Sequence, residues 1–118
     1  MTSREIVLAY LRAIEANTAD AWFHDDVVVV EHPNKLNPSG VRYDRAALRA
    51  AAERGAAGMA SQHYEVRAMI VDGDRVAAQI AWTGTLRDGR VMRAEIASFI
   101  ELRDDKIWRQ EQYDCFVV

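Results

Sequence analysis

Hydrophobic positions near the start of the chain recur every three or four residues. This spacing predicts an amphipathic helix whose apolar stripe consists of Ile6, Val7, Tyr10, Leu11 and Ile14. Thr2 and Glu5 have the spacing of a capping box, with Ser3 as an alternative N-cap, so the helix is expected to begin there and to end near Asn17.

The pattern then changes over a short stretch. A second, short helix is predicted to start at Thr18, to run through residues 22–23 and to be broken by Asp25-Asp26. The β-branched run 27–30 is typical of a buried strand, which ends at the sequence Glu31-His32-Pro33-Asn34.

Proline, glycine and capping residues mark the next two elements. Residues 33–43 contain both prolines and Gly40, and they predict a loop. Asp44 is a natural N-cap for a third helix from Arg45 to about Arg54. Two glycines, Gly55 and Gly58, are expected to end that helix.

The second half of the chain consists of apolar-rich segments separated by turn dipeptides. The segments are 63–71, 75–86, 91–103 and 106–117, and the turns are Asp72-Gly73, Asp88-Gly89 and Asp104-Asp105. Gly84 is a candidate bulge. Helices followed by a meander predict one α+β domain over 1–118, with N-terminal helices packed on a strongly curved antiparallel sheet that forms a cone-shaped cup. A cup that the helices cover only in part leaves a cavity, which is a common place for a ligand.

The last two strands do not reveal which of their faces is inside. In 91–103 one face is mostly apolar and the other is mixed; the first has Met92, Ala94, Ile96, Ser98, Ile100 and Leu102, and the second has Arg93, Glu95, Ala97, Phe99 and Glu101. In the next strand polar groups alternate on both faces. Periodicity alone therefore leaves the orientation open.

Composition narrows the classes of partner. The chain has 118 residues, half of them hydrophobic, and a formal net charge of -3 from 15 basic and 18 acidic residues. It has no basic stripe for nucleic acid, no apolar run of about 20 residues to span a membrane, and no signal-peptide core. The single cysteine, Cys115, excludes an intramolecular disulfide and is expected to be a buried thiol. A cytoplasmic location is expected.

No cofactor or metal is expected from the motifs. The histidines His24, His32 and His63 do not have metal-ligand spacing, and the chain has no glycine-rich phosphate loop.

Local markers give a family resemblance. In chain order they are Phe23-His24-Asp25-Asp26, Glu31-His32-Pro33, Trp82-Thr83-Gly84 and Gln112-Tyr113-Asp114-Cys115. Together with the element order they resemble the nuclear transport factor 2-like superfamily, and within it the SnoaL-like polyketide cyclases and, more distantly, the ketosteroid isomerases. Proteins of this fold include isomerases, cyclases, dehydratases, epoxide hydrolases and non-catalytic binders, so the resemblance implies the fold more firmly than the reaction.

The resemblance also implies an orientation for the last strands. It directs Arg93, Glu95, Ala97 and Phe99 into the cup, on the same interior as Gln110, Gln112 and Asp114. The apolar face of 91–103 would then lie outside, where family members pair as homodimers. The opposite orientation, with Arg93 and Glu95 in solvent and Asp114 removed from the pocket, remains an alternative.

Three residues are the catalytic candidates that the resemblance implies. His32 occupies the place of the isomerases' general base at the cup mouth, and histidine is a residue type suited to acid/base chemistry; the alternative is a histidine that only supports the following loop. Asp114 occupies the place of an acid/base residue of the cyclases, or else caps a turn or pairs with Arg93. Tyr10 occupies the place of an oxyanion donor, or is a core residue. The isomerases' second oxyanion donor falls at Ala97, which argues against true ketosteroid isomerase activity.

Other residues are assigned to substrate binding. Glu95 would be a second acid/base group or be neutralised by Arg93, and Gln110 and Gln112 would bind substrate oxygens. Trp22, Trp82 and Phe99 would supply aromatic walls, unless they are plain core.

The sequence thus predicts a cofactor-independent acid/base enzyme that isomerises, cyclises or dehydrates a small apolar, carbonyl-bearing, polyketide-like molecule. A non-catalytic binding or dimerisation module is the first alternative. An epoxide hydrolase that uses Arg93 with Asp114 and Glu95 is the second.

Overall fold

Two α-helices and one 3-10 helix pack against a single curved sheet of six strands in residues 1–117, the part of the chain that this computed structural model describes. The elements are α1 (Ser3–Glu15), the 3-10 helix (Ala19–Trp22), β1 (Phe23–Glu31), β2 (Val41–Tyr43), α2 (Arg45–Gly58), β3 (Met59–Asp72), β4 (Arg75–Leu86), β5 (Val91–Arg103) and β6 (Lys106–Phe116). Val118, the last residue of the predicted domain, lies outside the described residues. The predicted α+β class is confirmed.

Helix α1 begins at the predicted capping box. The Thr2 hydroxyl accepts a hydrogen bond from the Glu5 amide at 3.1 Å, and the Glu5 carboxylate accepts one from the Thr2 amide at 3.0 Å. These two bonds satisfy backbone donors that the first helical turn leaves unpaired. The helix ends at Glu15, and Asn17 adopts a left-handed conformation with φ 59°.

The region after α1 differs from its prediction. The second helix is a single 3-10 turn, and Phe23 already belongs to β1. Asp25 and Asp26 do not end an element: they lie in β1, where the pairing with β6 loses register between Phe23 and Val28. An irregular stretch of strand leaves both carboxylates exposed, so it tolerates two adjacent acidic residues.

Helix α2 is longer than predicted, and strand β2 was not predicted. Asp44 caps α2 as predicted, because its carboxylate accepts a hydrogen bond from the Ala47 amide at 2.8 Å. The helix continues through Gly55 to Gly58, instead of ending near Arg54. Strand β2 lies inside the predicted loop; its three residues are too few to show a periodic pattern.

The sheet has the order β2-β1-β6-β5-β4-β3, and it is antiparallel as predicted except at one pair of strands, which makes it mixed. The exception is β1, which pairs with β6 in parallel, with Glu31 opposite Gln112. Strands β3 to β6 form the predicted meander, and the β5–β6 turn places Asp104 and Asp105 at φ 53° and 58°. Two consecutive left-handed residues match the twist of a two-residue hairpin turn.

A one-residue bulge in β6 decides which faces of β5 and β6 meet. Beside the turn, Leu102 pairs with Ile107, but the next pair joins Glu101 to Arg109 and leaves Trp108 without an opposite residue. The guanidinium carbons of Arg103 and Arg109 lie 3.6 and 4.0 Å from the centre of a Trp108 ring. Beyond the bulge every β6 residue is displaced by one position relative to β5.

The concave side of the sheet, here called the inner face, carries the core. Ile6, Val7 and Leu11 of α1 are at most 2% exposed. They belong to one cluster with inner-face residues of the strands, namely Val27, Val29, Val76, Ile80, Ile96, Ile100 and Ile107. Burying one such side chain contributes roughly 1.5–3 kcal/mol. The convex side is called the outer face. No helix in the described part of the chain is long and apolar enough to cross a membrane.

Gly84 does not mark a bulge, because the breaks in β3–β4 register lie at 59–61 and 66–68 of β3. A side-chain carbon at Gly84 would instead lie 2.6 Å from the indole ring of Trp82. Gly84 therefore makes room for the Trp82 ring on the inner face.

We expect Gly84→Ala to destabilise the protein by about 1–3 kcal/mol, since overpacking forces the indole out of its place. The matched control is Gly55→Ala in α2, where a new methyl meets nothing within 4 Å and helix propensity favours alanine. The free energies of unfolding measured in urea should move in opposite directions. Equal effects of the two substitutions would contradict this account of Gly84.

Candidate active site

Three polar side chains of β6 lie on the inner face, as predicted. Gln110, Gln112 and Asp114 pair with Ile100, Ser98 and Ile96 of β5, respectively. Gln110 is 5% exposed, and Asp114 is partly buried. The apolar face of β5 therefore lies inside the cup, next to these polar groups, and the prediction that it lies outside is wrong.

The remaining β5 residues point the other way. Arg93, Glu95, Ala97 and Phe99 lie on the outer face, where Phe99 is 50% exposed and Glu95 pairs with Arg67 at 3.5 Å. The prediction that they line the cup is wrong, because the bulge at Trp108 shifts the β5–β6 register by one residue. For the same reason Arg93 and Glu95 do not join Asp114 in an epoxide-hydrolase-like arrangement.

His32 also lies on the outer face. Its ring stacks on Tyr113 with centroids 4.0 Å apart, and its Nε2 lies 3.0 Å from the Glu111 carboxylate. Because Glu31 pairs with Gln112 on the inner face, the next residue must turn outward. The predicted position of His32 at the cup rim, across from Asp114, is therefore wrong.

Glu31 occupies the inner position instead, and the sequence analysis missed it. Its Oε1 accepts hydrogen bonds from the side-chain amides of Asn34 at 2.8 Å and Asn37 at 3.1 Å. Its Oε2 accepts one from the Tyr43 hydroxyl at 3.2 Å. The sequence signal for Glu31 was the alternation of side chains along β1. Val27 and Val29 are buried on the inner face, and Glu31 is the next residue that points to that face.

Glu31 and Asp114 form a carboxyl pair. Burial, and after it the charge of the neighbouring Glu31 carboxylate and a contact with Glu31 that favours the protonated form, raise the pKa of Asp114 to about 6. The hydrogen bond from the Gln112 amide to Asp114 Oδ1, at 2.9 Å, lowers the same pKa. Asp114 is thus an acid that exchanges its proton near neutral pH.

A cavity of about 610 Å³ opens between the helices and the sheet, and Glu31 lines it. Phe23, Ile14, Leu48 and Met59 supply much of its apolar wall. A cavity of this size is within the usual range for small-molecule sites. Asp114 does not itself line the cavity; it lies beside Glu31, which does.

Tyr10 and Tyr64 line the same cavity. Burial raises the pKa of both phenols, so both stay protonated. The Tyr10 hydroxyl donates to Gln110 Oε1 at 2.8 Å, whereas the Tyr64 hydroxyl makes a longer bond of 3.3 Å to Gln62 Oε1. Trp82 Nε1 also donates to that oxygen, at 3.0 Å, so Gln62 keeps a partner if Tyr64 turns toward a ligand. Tyr64 and Gln62 were not singled out from the sequence.

The two tryptophans assigned to the wall differ in position. Trp82 lies on the inner face and meets Phe116 edge-on, with ring centroids 6.4 Å apart. Trp22 is partly buried against the core and does not line the cavity. Cys115 is exposed on the outer face beside Glu95, so the prediction of a buried thiol is wrong.

An ionic clamp holds α2 over the cavity. Arg49 makes two bonds to the Asp20 carboxylate, at 3.0 and 3.1 Å, and Arg45 reaches both Asp20 and Asp25. None of the described residues of α2 is fully buried; besides these ion pairs, Leu48 packs against the core and Arg87 donates hydrogen bonds to the Ala56 and Ala57 carbonyls of the helix. Within residues 1–117 no group of three or more His, Cys, Asp or Glu side chains is placed to hold a metal ion.

Residues 7–110 match the family described as SnoaL-like domain. The chain belongs to this family. SnoaL-like domains are part of the nuclear transport factor 2-like superfamily, so the resemblance in the sequence is confirmed. No curated protein matches the chain.

Solved structures share the fold of this SnoaL-like domain. IdmH from Streptomyces antibioticus, a putative polyketide cyclase, is 16% identical with a TM-score of 0.78 over 97% of this chain and 92% of its own. A protein of ketosteroid isomerase-like fold from Catenulispora acidiphila, in complex with trimethylamine, is 20% identical with a TM-score of 0.76 over 96% and 86%. An LEH-like epoxide hydrolase of M. tuberculosis is 18% identical with a TM-score of 0.75 over 95% of this chain and 81% of its own. At these identities the likeness shows the fold alone.

The raised pKa of Asp114 gives this SnoaL-like domain a testable pH dependence. Because the folded-state value of about 6 exceeds the ordinary 3.8, ionising Asp114 disfavours the folded state, and stability is lost as pH rises from about 4 through 6. Asp114→Asn removes that titration. At pH 8 we expect the variant to be more stable than wild type by on the order of 1–2 kcal/mol, after allowing for partial exposure.

The difference should vanish below pH 4, where Asp114 is neutral in both the folded and unfolded states. Urea unfolding at several pH values measures it. Asp74→Asn, at an exposed turn, is the control and should not alter the pH profile. A constant difference between Asp114→Asn and wild type from pH 3 to 8 would contradict the assigned ionisation.

Proposed function

We propose that this SnoaL-like domain binds a small, largely apolar molecule bearing a carbonyl group and moves protons on it without a cofactor. The observation that carries the proposal is the Glu31–Asp114 pair, with one member lining an otherwise largely apolar cavity and the other titrating near neutrality. Isomerisation, aldol cyclisation and dehydration all require proton transfer next to a carbonyl. The polyketide cyclase relatives make a polyketide-like substrate the leading candidate.

In the proposed reaction Glu31 faces the substrate. Its carboxylate removes a proton from the carbon next to the carbonyl, and the C–H electron pair becomes the enolate. Tyr64 donates a hydrogen bond to the enolate oxygen, because its hydroxyl is held only by the longer bond to Gln62. The proton on Glu31 is then shared with Asp114 and returned to the substrate carbon or to a leaving oxygen.

Deuterium incorporation into 2-tetralone, an apolar cyclic ketone, tests the proposed proton transfer by NMR in D₂O. We expect wild type to accelerate exchange of the protons next to the carbonyl. Glu31→Gln and Asp114→Asn should each lower that rate by on the order of 10²–10⁴-fold, as for other acid/base groups. Tyr64→Phe should lower it less, since only one oxyanion donor is lost.

Glu95→Gln is the matched control, because it makes the same chemical change on the outer face and should leave the rate unchanged. Wild-type rates in both Glu31→Gln and Asp114→Asn would refute the assignment. Chemical-shift changes that place 2-tetralone in the cavity, without any acceleration of exchange, would favour a non-catalytic binding protein.

We further propose a homodimer formed through the outer face. Phe99 and Tyr113 are 50% and 48% exposed, and their rings meet edge-on with centroids 6.1 Å apart. Ala77 lies opposite Phe99 and Ala97 lies opposite Tyr113, so small side chains flank the two rings on the outer face. An exposed apolar patch on a sheet of this kind favours a self-complementary partner.

Phe99→Glu should convert the dimer to a monomer, because it places a charge in the centre of the patch. Light scattering coupled to size-exclusion chromatography measures the mass. Leu36→Glu makes the same change at a residue that is 54% exposed in the β1–β2 loop and should leave the mass unchanged. A wild-type monomer at micromolar concentration would refute the proposed interface.

A further inference from the structure

Four side chains connect the cavity to the back of the carboxyl pair through a continuous run of hydrogen bonds. The Tyr10 hydroxyl donates to Gln110 Oε1 at 2.8 Å. Gln110 Nε2 donates to Gln112 Oε1 at 3.3 Å and to Ser98 Oγ at 3.0 Å. Gln112 Nε2 donates to Asp114 Oδ1 at 2.9 Å. The run Tyr10–Gln110–Gln112–Asp114 is called the relay.

Every hydrogen bond of the relay has the same direction. Each amide accepts on its carbonyl side and donates on its nitrogen side, so the donated protons all point from Tyr10 toward Asp114. Tyr10 is 3% exposed, and Gln110 is the acceptor for its hydroxyl proton. A buried hydroxyl without an acceptor costs free energy, so Tyr10 anchors the direction of the run.

At Asp114, the direction of these hydrogen bonds determines which carboxyl oxygen carries the proton. Oδ1 of Asp114 accepts the Gln112 proton, so a proton on the carboxyl group occupies Oδ2. Glu31 is the carboxylate in contact with Asp114. A proton on Oδ2 is therefore the one available for sharing between the two carboxyls.

We infer that Tyr10, Gln110 and Gln112 are positioning residues, which hold Asp114 so that its acidic proton is shared with Glu31. This inference rests on the proposed function and deepens it. It also reassigns Tyr10: a hydroxyl that donates to Gln110 does not donate to a substrate oxygen, and Tyr64 is left for that task.

If the relay holds Asp114 in place, changes in the relay should alter the pKa of Asp114. The titratable groups that face it are Glu31 on β1, Tyr43 on β2 and Tyr64 on β3. Both tyrosines stay neutral across the pH range of interest, since burial raises their pKa values. Burial is the largest cause of the raised Asp114 pKa; of the neighbouring groups, Glu31 raises this pKa and the Gln112 amide lowers it.

The test is the Asp114 carboxyl ¹³C signal, titrated by NMR and assigned by its loss in Asp114→Asn. Gln112→Leu removes a donor to the ionised carboxylate, so the pKa of Asp114 should rise by about one unit. Tyr10→Phe keeps the ring and removes only the far end of the relay. It should shift the same pKa upward by a few tenths of a unit, transmitted through Gln110 and Gln112, because the Tyr10 hydroxyl donates to Gln110 and not to Asp114.

Gln79→Leu, at an exposed outer-face position, is the control and should leave the titration unchanged. Unchanged Asp114 titration in Gln112→Leu and Tyr10→Phe, accompanied only by lower stability, would reduce the relay to packing and overturn the inference. Lower pKa values in both variants would show that the amides are reversed, with Gln112 accepting from protonated Asp114. These outcomes need no substrate, so they are independent of the 2-tetralone exchange that tests the proposed function.

Discussion

The unopposed Trp108 in β6 is the constraint on which the site depends. The tight turn at Asp104-Asp105 starts a register that, continued without interruption, would place Glu95 opposite Asp114 and Phe99 opposite Gln110. The bulge advances β6 by one residue, so that Ile96 lies opposite Asp114 and Ile100 lies opposite Gln110. Side chains alternate between the two faces of a strand. A shift of one residue therefore decides which β5 side chains share a face with Gln110, Gln112 and Asp114 of β6. Stacking of Arg103 and Arg109 on Trp108 stabilises the bulge, with cation–π contacts of this exposure contributing about 0.5–1 kcal/mol each.

A second long-range contact completes the carboxyl pair. Strand β1 enters the sheet early in the chain, and its neighbour β6 is the last strand, so four strands and α2 lie between them in the chain. Their parallel pairing brings Glu31 beside Gln112, one inner-face position from Asp114. The site is therefore assembled from the two ends of the fold: β1 supplies the carboxylate at the cavity, and β6 supplies its partner and half of the relay.

Sequence reasoning succeeded where structure is determined locally and failed where it depends on pairing between distant strands. The capping box of Thr2 and Glu5, the Asp44 cap and the bounds of β4 and β5 follow from neighbouring residues, and all were predicted. The inner position of Asp114 was also predicted, through the family resemblance. The orientation of Arg93 and the position of His32 were predicted wrongly, because each depends on a register that no local signal in the chain specifies. Glu31 could have been found by counting alternate residues from Val27, but His32 was predicted instead, because the family resemblance places it at the isomerases' general base and histidine suits acid/base chemistry.

The energetics of the carboxyl pair connect the fold to the proposed chemistry. Two carboxyl groups in a partly buried site repel each other when both are ionised, so the pair lowers stability above the pH at which Asp114 loses its proton. The surrounding structure offsets part of this cost with three donors to Glu31 and one to Asp114. An apolar residue at position 114 would fill the same place beside Ile96 without that cost. The fold instead surrounds an unfavourable pair with dedicated donors at the wall of a cavity, and local destabilisation of this kind is characteristic of sites where the ionisation itself is used. The relay has the same role. It donates a hydrogen bond to one carboxyl oxygen of Asp114, so the proton shared with Glu31 is on the other oxygen.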